Sequence, residues 1–573
     1  MSGQSRRKNQ PALVRAAPKP VRPFFRGAIS LSKFLRGVEP PTLKQRAIIV
    51  DQAILMLEGF YAHLPFKRAM YAVDPLQRLR LLKHRLPLLN DKLAFHRELI
   101  DVFVSLHDRH TVYLLPPPFD QANAWLPFRV EAYFDGNDRR YLVAGVVKGV
   151  GHPTFRRGVE VLSWNGIPIR RAVDIAGSQA DGGNPAAAHA IGLNRLTSRF
   201  LGAAPPPDEN WVIVEYQTPR RRVREVRFDW MVSKTTPEIS TSDSSHGVAI
   251  ESSQVQKLKR LLFAPRSIAE GAKLAAERKV LGTRTTLPDY YSARVVRTAH
   301  GKFGYIRIFS FEAADVEAFV TEFRRLVTLP KFAQNGLIID VRDNSGGRIS
   351  AAEQLLQMLT SRRIQPEPVQ LINTPYILRL CQLQASNPAL GPTGLAPWIP
   401  SIKRSMETGA VYSAGFPYTS PEAANDIGQK YNGPVILITS ALSYSATDFF
   451  AAGFQDHGIG KILGIDNTTG AGGASFRTYA ELRSYFKKDP NNPLKALPKG
   501  VGMQVAWCRS LRVGLRAGIE LEDFGVTPDD IHQMTSRDLL KRNVDLIEQA
   551  ASLLASGSRH GRSRILKKSG VAP

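Results

Sequence analysis

Leu337-Ile338-Ile339-Asp340-Val341-Arg342-Asp343-Asn344-Ser345-Gly346-Gly347 reads as an apolar strand that runs straight into a glycine turn. The stretch after it places Ala351, Leu355, Leu356 and Leu359 at helical spacing, so the unit is strand, turn, helix. The pattern recurs downstream. Pro434-Val435-Ile436-Leu437-Ile438-Thr439 enters Ser440-Ala441-Leu442-Ser443-Tyr444-Ser445, and a helix is expected from about 445. With Tyr305–Phe309, a helix over roughly 313–327 and Lys461–Ile465, strands alternate with helices from about 290 onward. That alternation predicts an α/β layered core with a largely parallel sheet.

Working outward, the 573 residues exceed one typical domain, and a 43% hydrophobic fraction supports two or three packed units. No apolar run approaches the roughly 20 residues of a membrane-spanning helix. Residues 42–64 and 92–106 carry helical periodicity through Ile48, Ile49, Leu55, Met56 and Phe60, and through Leu93, Leu99, Val102, Phe103 and Leu106. From about 126 to 232 the texture changes to short β-type runs separated by Gly, Asn and Asp, among them Val159–Trp164 followed by Asn165-Gly166. The expected organisation is a basic arm over 1–40, a helical region over 41–120, a strand-rich domain over 126–232 and a Ser/Thr-rich linker over 233–289. A large α/β domain over 290–552 and a basic tail over 553–573 complete it. The stretch 366–430, rich in Pro, Asn and Ser, reads as a surface excursion or a lid.

The net charge is +27, and residues 1–46 and 557–573 together supply +15 of it. Charge concentrated at the two ends predicts solvated arms that keep the chain soluble, or that meet a weak anionic partner. Cys381 and Cys508 are too few and too far apart for a disulfide framework or a thiolate zinc site. The first 41 residues lack a continuous apolar stretch of signal-peptide length, since Arg26, Lys33 and Arg36 interrupt it. A soluble, cytoplasmic chain is therefore expected, without cofactor or metal.

Two elements carry chemistry. The paired Gly346 and Gly347 free backbone N–H groups to face an anion, either a phosphate or the oxyanion of acyl transfer, although such a pair alone is more often only a turn. Ser445 falls at a helix N-terminus, where a lone serine reads first as the cap. The same position, with its free N–H groups and dipole, also favours charge on an attacking hydroxyl.

Together the two elements resemble the core of the C-terminal processing (tail-specific) protease family. In that family an Asp-x-Arg-x-Asn-x-Gly-Gly segment, here Asp340 to Gly347, precedes a Ser-Ala-Ser-Glu-like segment, here Ser445-Ala446-Thr447-Asp448. Gly304–Ile308, Thr469–Gly473 and Gly525–Asp529 are similar to further family segments, and Gly158–Ile169 resembles the strand and Asn-Gly turn of the family's PDZ domains. The resemblance implies a multidomain α/β chain: a crotonase-like α/β catalytic core, a PDZ-like β-rich domain and an N-terminal helical segment. It implies a serine endopeptidase acting on polypeptides through an acyl-enzyme, with Ser445 as nucleophile and an oxyanion hole from Ala446 and one of Gly346 or Gly347. Homo-oligomerisation stays open.

One departure matters. Ala471 stands in Thr469-Gly470-Ala471-Gly472 where tail-specific members carry their general-base lysine, and it cannot accept a proton. The branch that includes the tricorn core uses histidine and glutamate instead. Here Asp108-Arg109-His110-Thr111 resembles its Asp-x-His-Thr segment and Glu522-Asp523-Phe524-Gly525-Val526 its Glu-x-x-Gly-Val segment. The resemblance assigns His110 as general base, with His107 as its substitute, and Glu522 as the group that orients the imidazolium. His107 and His110 lack a third partner for a metal. The competing expectation is a catalytically inactive relative that keeps the fold for binding or scaffolding.

Overall fold

The computed structural model describes residues 27–568 apart from 90, 148–151, 235–246, 249–281, 333–334, 387–393 and 499. Most of the basic arm and of the Ser/Thr-rich linker therefore lies outside the described residues, as do the side chains beyond 556.

Helix α1 (Leu43–Phe60) starts at a capping box in which Thr42 N–H donates to Gln45 Oε1 at 2.8 Å. Ile49, Val50, Ala53, Met56, Leu57 and Phe60 are its buried face, the three- and four-residue spacing that the sequence displays. Helix α2 (Leu64–Tyr71) follows, and α3 (Ala94–Val104) leads into Leu106–Thr111. This region is one core with the excursion over 366–430, which is no free lid. Thr374 Oγ1 donates to the Gly59 carbonyl at 2.6 Å, Tyr412 Oη to the Ala62 carbonyl at 2.8 Å, and Tyr376 stacks on Phe60.

The strand-rich domain is a sheet whose outermost strand is β1 (Phe128–Asp135), paired antiparallel with β2 (Asp138–Val146). Farther in, Asn165 and Gly166 adopt φ of 48° and 79° between Glu160–Trp164 and Ile167–Pro168, the two positive angles that a tight two-residue hairpin turn needs. Helix α4 (Pro185–Arg195), capped by Asn184, lies alongside β1.

In the α/β domain, Tyr291–Thr298 pairs antiparallel with β3 (Gly301–Ile308). Beyond it β3, β4 (Leu337–Asp340), β5 (Val435–Thr439), β6 (Lys461–Gly464) and Asp530–Ile531 run parallel. Ile339 and Leu437 face helices α5 (Ile349–Gln357) and α6 (Ala446–Asp456). Ile338, Ile436 and Ile438 face the opposite layer, which includes Leu546 and Ile547 of the C-terminal helix. Burial on both faces is why these strands read as unbroken apolar runs. A short helix, α7 (Ser536–Leu540), precedes α8 (Val544–Lys568), whose backbone runs helical into the basic tail. Among the described residues no single helix is long and apolar enough to cross a membrane.

Candidate active site

The loop after β4 is built by buried charge. Asp340, fully buried, accepts from Tyr305 Oη at 2.7 Å and from Arg342 Nη2 at 2.8 Å, and the two guanidiniums of Arg307 and Arg342 hold its carboxyl well below the usual range. Asn344 then ties three strands together. Its Nδ2 donates to the Ile308 carbonyl at 3.3 Å, its Oδ1 accepts the Gly346 N–H at 3.0 Å, and its carbonyl accepts the Tyr444 N–H at 3.0 Å. Gly347, at φ 143°, lies so close to Phe311 and Glu312 that a Cβ would sit 2.1 Å from their backbone. Phe311 bridges it on one side, and on the other Gly247–Val248 pairs antiparallel with Gly346–Gly347.

After β5 the chain turns through Ser445, which adopts φ 61° and ψ −126°. That conformation is costly for a residue with a Cβ, so its surroundings must impose it. Asp448 does much of this. It accepts the Ser445 N–H at 2.7 Å, the Gly472 N–H at 2.8 Å, the Ala471 N–H at 3.2 Å and the Thr469 hydroxyl at 2.5 Å. Burial pushes its pKa up to about 6 against these donors. Ala471, in the position expected to lack a base, thus serves by its backbone. The N–H of Ala446, first residue of α6, has no intrahelical acceptor.

His110 meets this turn from the N-terminal region. Its Nε2 stands 3.1 Å from Ser445 Oγ, both side chains are fully buried, and desolvation lowers its pKa to about 3. The imidazole is therefore neutral at ordinary pH. Its Nδ1 faces Tyr444 Oη at 3.1 Å, and the Tyr444 ring lies under Gly470 and Gly472, where any Cβ would strike it.

Glu522 does not sit on His110. It accepts from Lys67 Nζ at 3.0 Å and lies 4.0 Å from His63 Nδ1, because a fully buried ammonium requires carboxylates around it. Lys67 also donates to Asp523 Oδ1 at 2.6 Å, and these acids raise its pKa, so it is a cation and no base. The link from Glu522 to His110 is indirect. His63 Nδ1 is 3.0 Å from Asp108 Oδ2, and Asp108 Oδ1 accepts the His110 backbone N–H at 2.8 Å. Ligand atoms of His63, Asp108 and Glu522 lie within 4.8 Å of one another, and the Lys67 ammonium already occupies Glu522 Oε1. His107 is elsewhere, its ring tilted against Tyr71 and its carbonyl accepting from Lys67. The sequence reading missed Tyr444, Asp108, His63 and Lys67. Tyr444 and Asp108 were inside the quoted motifs, whereas nothing local marks Lys67.

A buried serine on a strained turn, a neutral histidine against its hydroxyl, and a glycine edge that takes an extended strand together define a site for acyl transfer. Residues 302–529 match the model of peptidase family S41, and residues 122–240 match a PDZ domain model. It is a serine-type peptidase. Among solved structures it is similar to mature CPAF, with a TM-score of 0.63 at 17% identity over 90% of this chain and 98% of that one. Mature CPAF complexed with lactacystin gives 0.61 at 18% over 90% and 99%. The photosystem II D1 C-terminal processing protease aligns over 85% and 92% at 14% identity with a TM-score of 0.35. No curated protein matches the sequence.

Proposed function

We propose that the chain is a serine endopeptidase in which Ser445 attacks the peptide carbonyl and His110 is the general base. The 3.1 Å separation of His110 Nε2 from Ser445 Oγ carries this reading. With the Nδ1 proton directed at Tyr444 Oη, the Nε2 lone pair is left to take the serine proton, which later passes to the leaving amine. Asp108 is the nearest fixed negative charge and favours the imidazolium. Glu522 acts at one remove, by holding Lys67 and His63 around Asp108. An extended substrate takes the place held by Gly247–Val248 along Gly346–Gly347, as an added strand. The oxyanion then meets the Ala446 N–H together with that of Gly347, since the Gly346 N–H is committed to Asn344.

The test is hydrolysis of an unfolded polypeptide, with products mapped by mass spectrometry. Internal cleavages by wild type that vanish in Ser445→Ala and His110→Ala are expected. Cleavage surviving in either variant overturns the assignment.

A further inference from the structure

A PDZ domain binds a peptide by adding it as a strand to an exposed sheet edge, beside a helix, while backbone N–H groups at the head of that edge take the terminal carboxylate. In this chain the corresponding edge is β1 and the helix is α4, and between them lies a cavity of about 180 Å³. Both halves of the recognition device are already in use.

The edge is met by the α/β domain. Phe134, near the end of β1, donates its N–H to the Met534 carbonyl at 2.8 Å, and Met534 lines the cavity together with Ala132, Phe134 and Leu193. Two residues on, α7 continues the contact: Arg157 Nη2 donates to the Leu539 carbonyl at 2.8 Å and Leu540 packs over Gly158. The segment that does this is itself fastened. Asp538 accepts from His532 Nε2 at 2.7 Å, from Thr535 N–H at 3.0 Å, and from the N–H groups of Asp545 and Leu546 at 2.9 Å each. His532 Nδ1 is in turn 2.6 Å from Gln549 Oε1. The segment that carries Met534 is thus fastened to α7 and α8.

At the head of the edge, among the described residues, the N–H groups of Trp125 to Phe128 form no free cradle. Trp125 lies in a strand paired on both sides, with Met231 and Ser198. Leu126 donates to the Thr197 carbonyl at 2.9 Å, Pro127 has no N–H, and Phe128 begins the pairing with Val146. The other walls are no better suited to a carboxylate. Glu131, Asp343 and Asp466 outnumber Arg129 and Arg139 around the cavity, and His189 of α4 is bound to Tyr141 Oη at 3.0 Å.

We infer that the Met534 segment of the α/β domain closes the peptide edge of this PDZ domain, so that the domain is an internal clamp and the peptidase selects an internal extended segment rather than a free C-terminus. The inference rests on the endopeptidase reading only for its second half; the closed edge stands on geometry alone. Two measurements on the full chain separate them. The first uses the Ser445→Ala protein, which needs no catalysis, with a fluorescein-labelled pool of peptides of about ten residues whose last positions are random. No saturable binding is expected at up to about 100 µM peptide. Saturable binding that is lost when the pool is C-terminally amidated overturns the closed edge. The second compares cleavage by wild type of one unstructured polypeptide with a free or an amidated C-terminus. The two values of kcat/KM are expected to agree within about twofold, and a loss of more than about tenfold on amidation overturns internal selection. A chain that cleaves neither substrate contradicts the endopeptidase reading and leaves the binding result to decide the clamp.

Discussion

Two sheet edges in this molecule are each met by another segment of its own chain, and they differ in what holds the visitor. At Gly346–Gly347 the partner is a two-residue strand, Gly247–Val248. At β1 the partner is Met534, fastened through His532, Thr535 and Asp538 to the sheet and to α8. The glycine edge stands beside the nucleophile turn, locked to it by the Asn344 carbonyl and the Tyr444 N–H. An edge met by a two-residue strand is suited to exchange that strand for the proposed substrate, whereas an edge met by a fastened loop is suited to fix a domain.

The contrast breaks most completely if the nucleophile is misassigned. Ser445→Ala and His110→Ala are each expected to lower kcat by about 10⁵ to 10⁶-fold, with unchanged far-ultraviolet circular dichroism. Gly347→Ala sharpens the role of the glycine edge. Its Cβ would collide with the Phe311 and Glu312 backbone, displacing the edge, and a loss of about 10² to 10³-fold in kcat is expected. Tyr444→Phe removes only the hydroxyl at His110 Nδ1. A fall of roughly ten- to a hundredfold in kcat/KM with the serine still reactive is the expected result, since positioning and not the base itself is lost.

Lowering the pH tests the turn from another side. Asp448 holds four donors only as an anion, and its pKa of about 6 lies above that of His110 at about 3. The acid limb of kcat/KM is therefore expected near pH 6, set by loosening of the Ser445 turn before the imidazole protonates. The smallest effect concerns stability. Glu353 of α5 is buried with one oxygen unpartnered among the described residues, and burial raises its pKa from 4.5 to about 7. A raised acid is held protonated by the fold, so its contribution is complete below pH 4.5 and is lost as pH climbs through 7. Glu353→Gln should therefore raise the melting temperature at pH 8 by a few degrees and leave it almost unchanged at pH 4.

The α/β core was legible because strands buried on both faces need continuous apolar runs, and β4 and β5 display them. Ser445 and His110 were legible only as members of two motifs 335 residues apart, joined by resemblance. What failed was the third member. Glu522 was placed on His110, but a carboxylate goes to the strongest buried cation available, and Lys67 looks like any surface lysine on an amphipathic helix until α2 is seen packed inside. Tyr444 took the vacant place at Nδ1, although its position next to Ser445 made it look like turn filling. The closing of β1 by Met534 was invisible for a similar reason, since pairing between distant segments leaves no periodic trace in either one.

The most direct measurement of the central claim is intact mass after reaction with a fluorophosphonate. A single adduct is expected on wild type, mapped to Ser445, absent from Ser445→Ala and formed far more slowly in His110→Ala. An adduct on another serine, or labelling of His110→Ala at the wild-type rate, would contradict the claim.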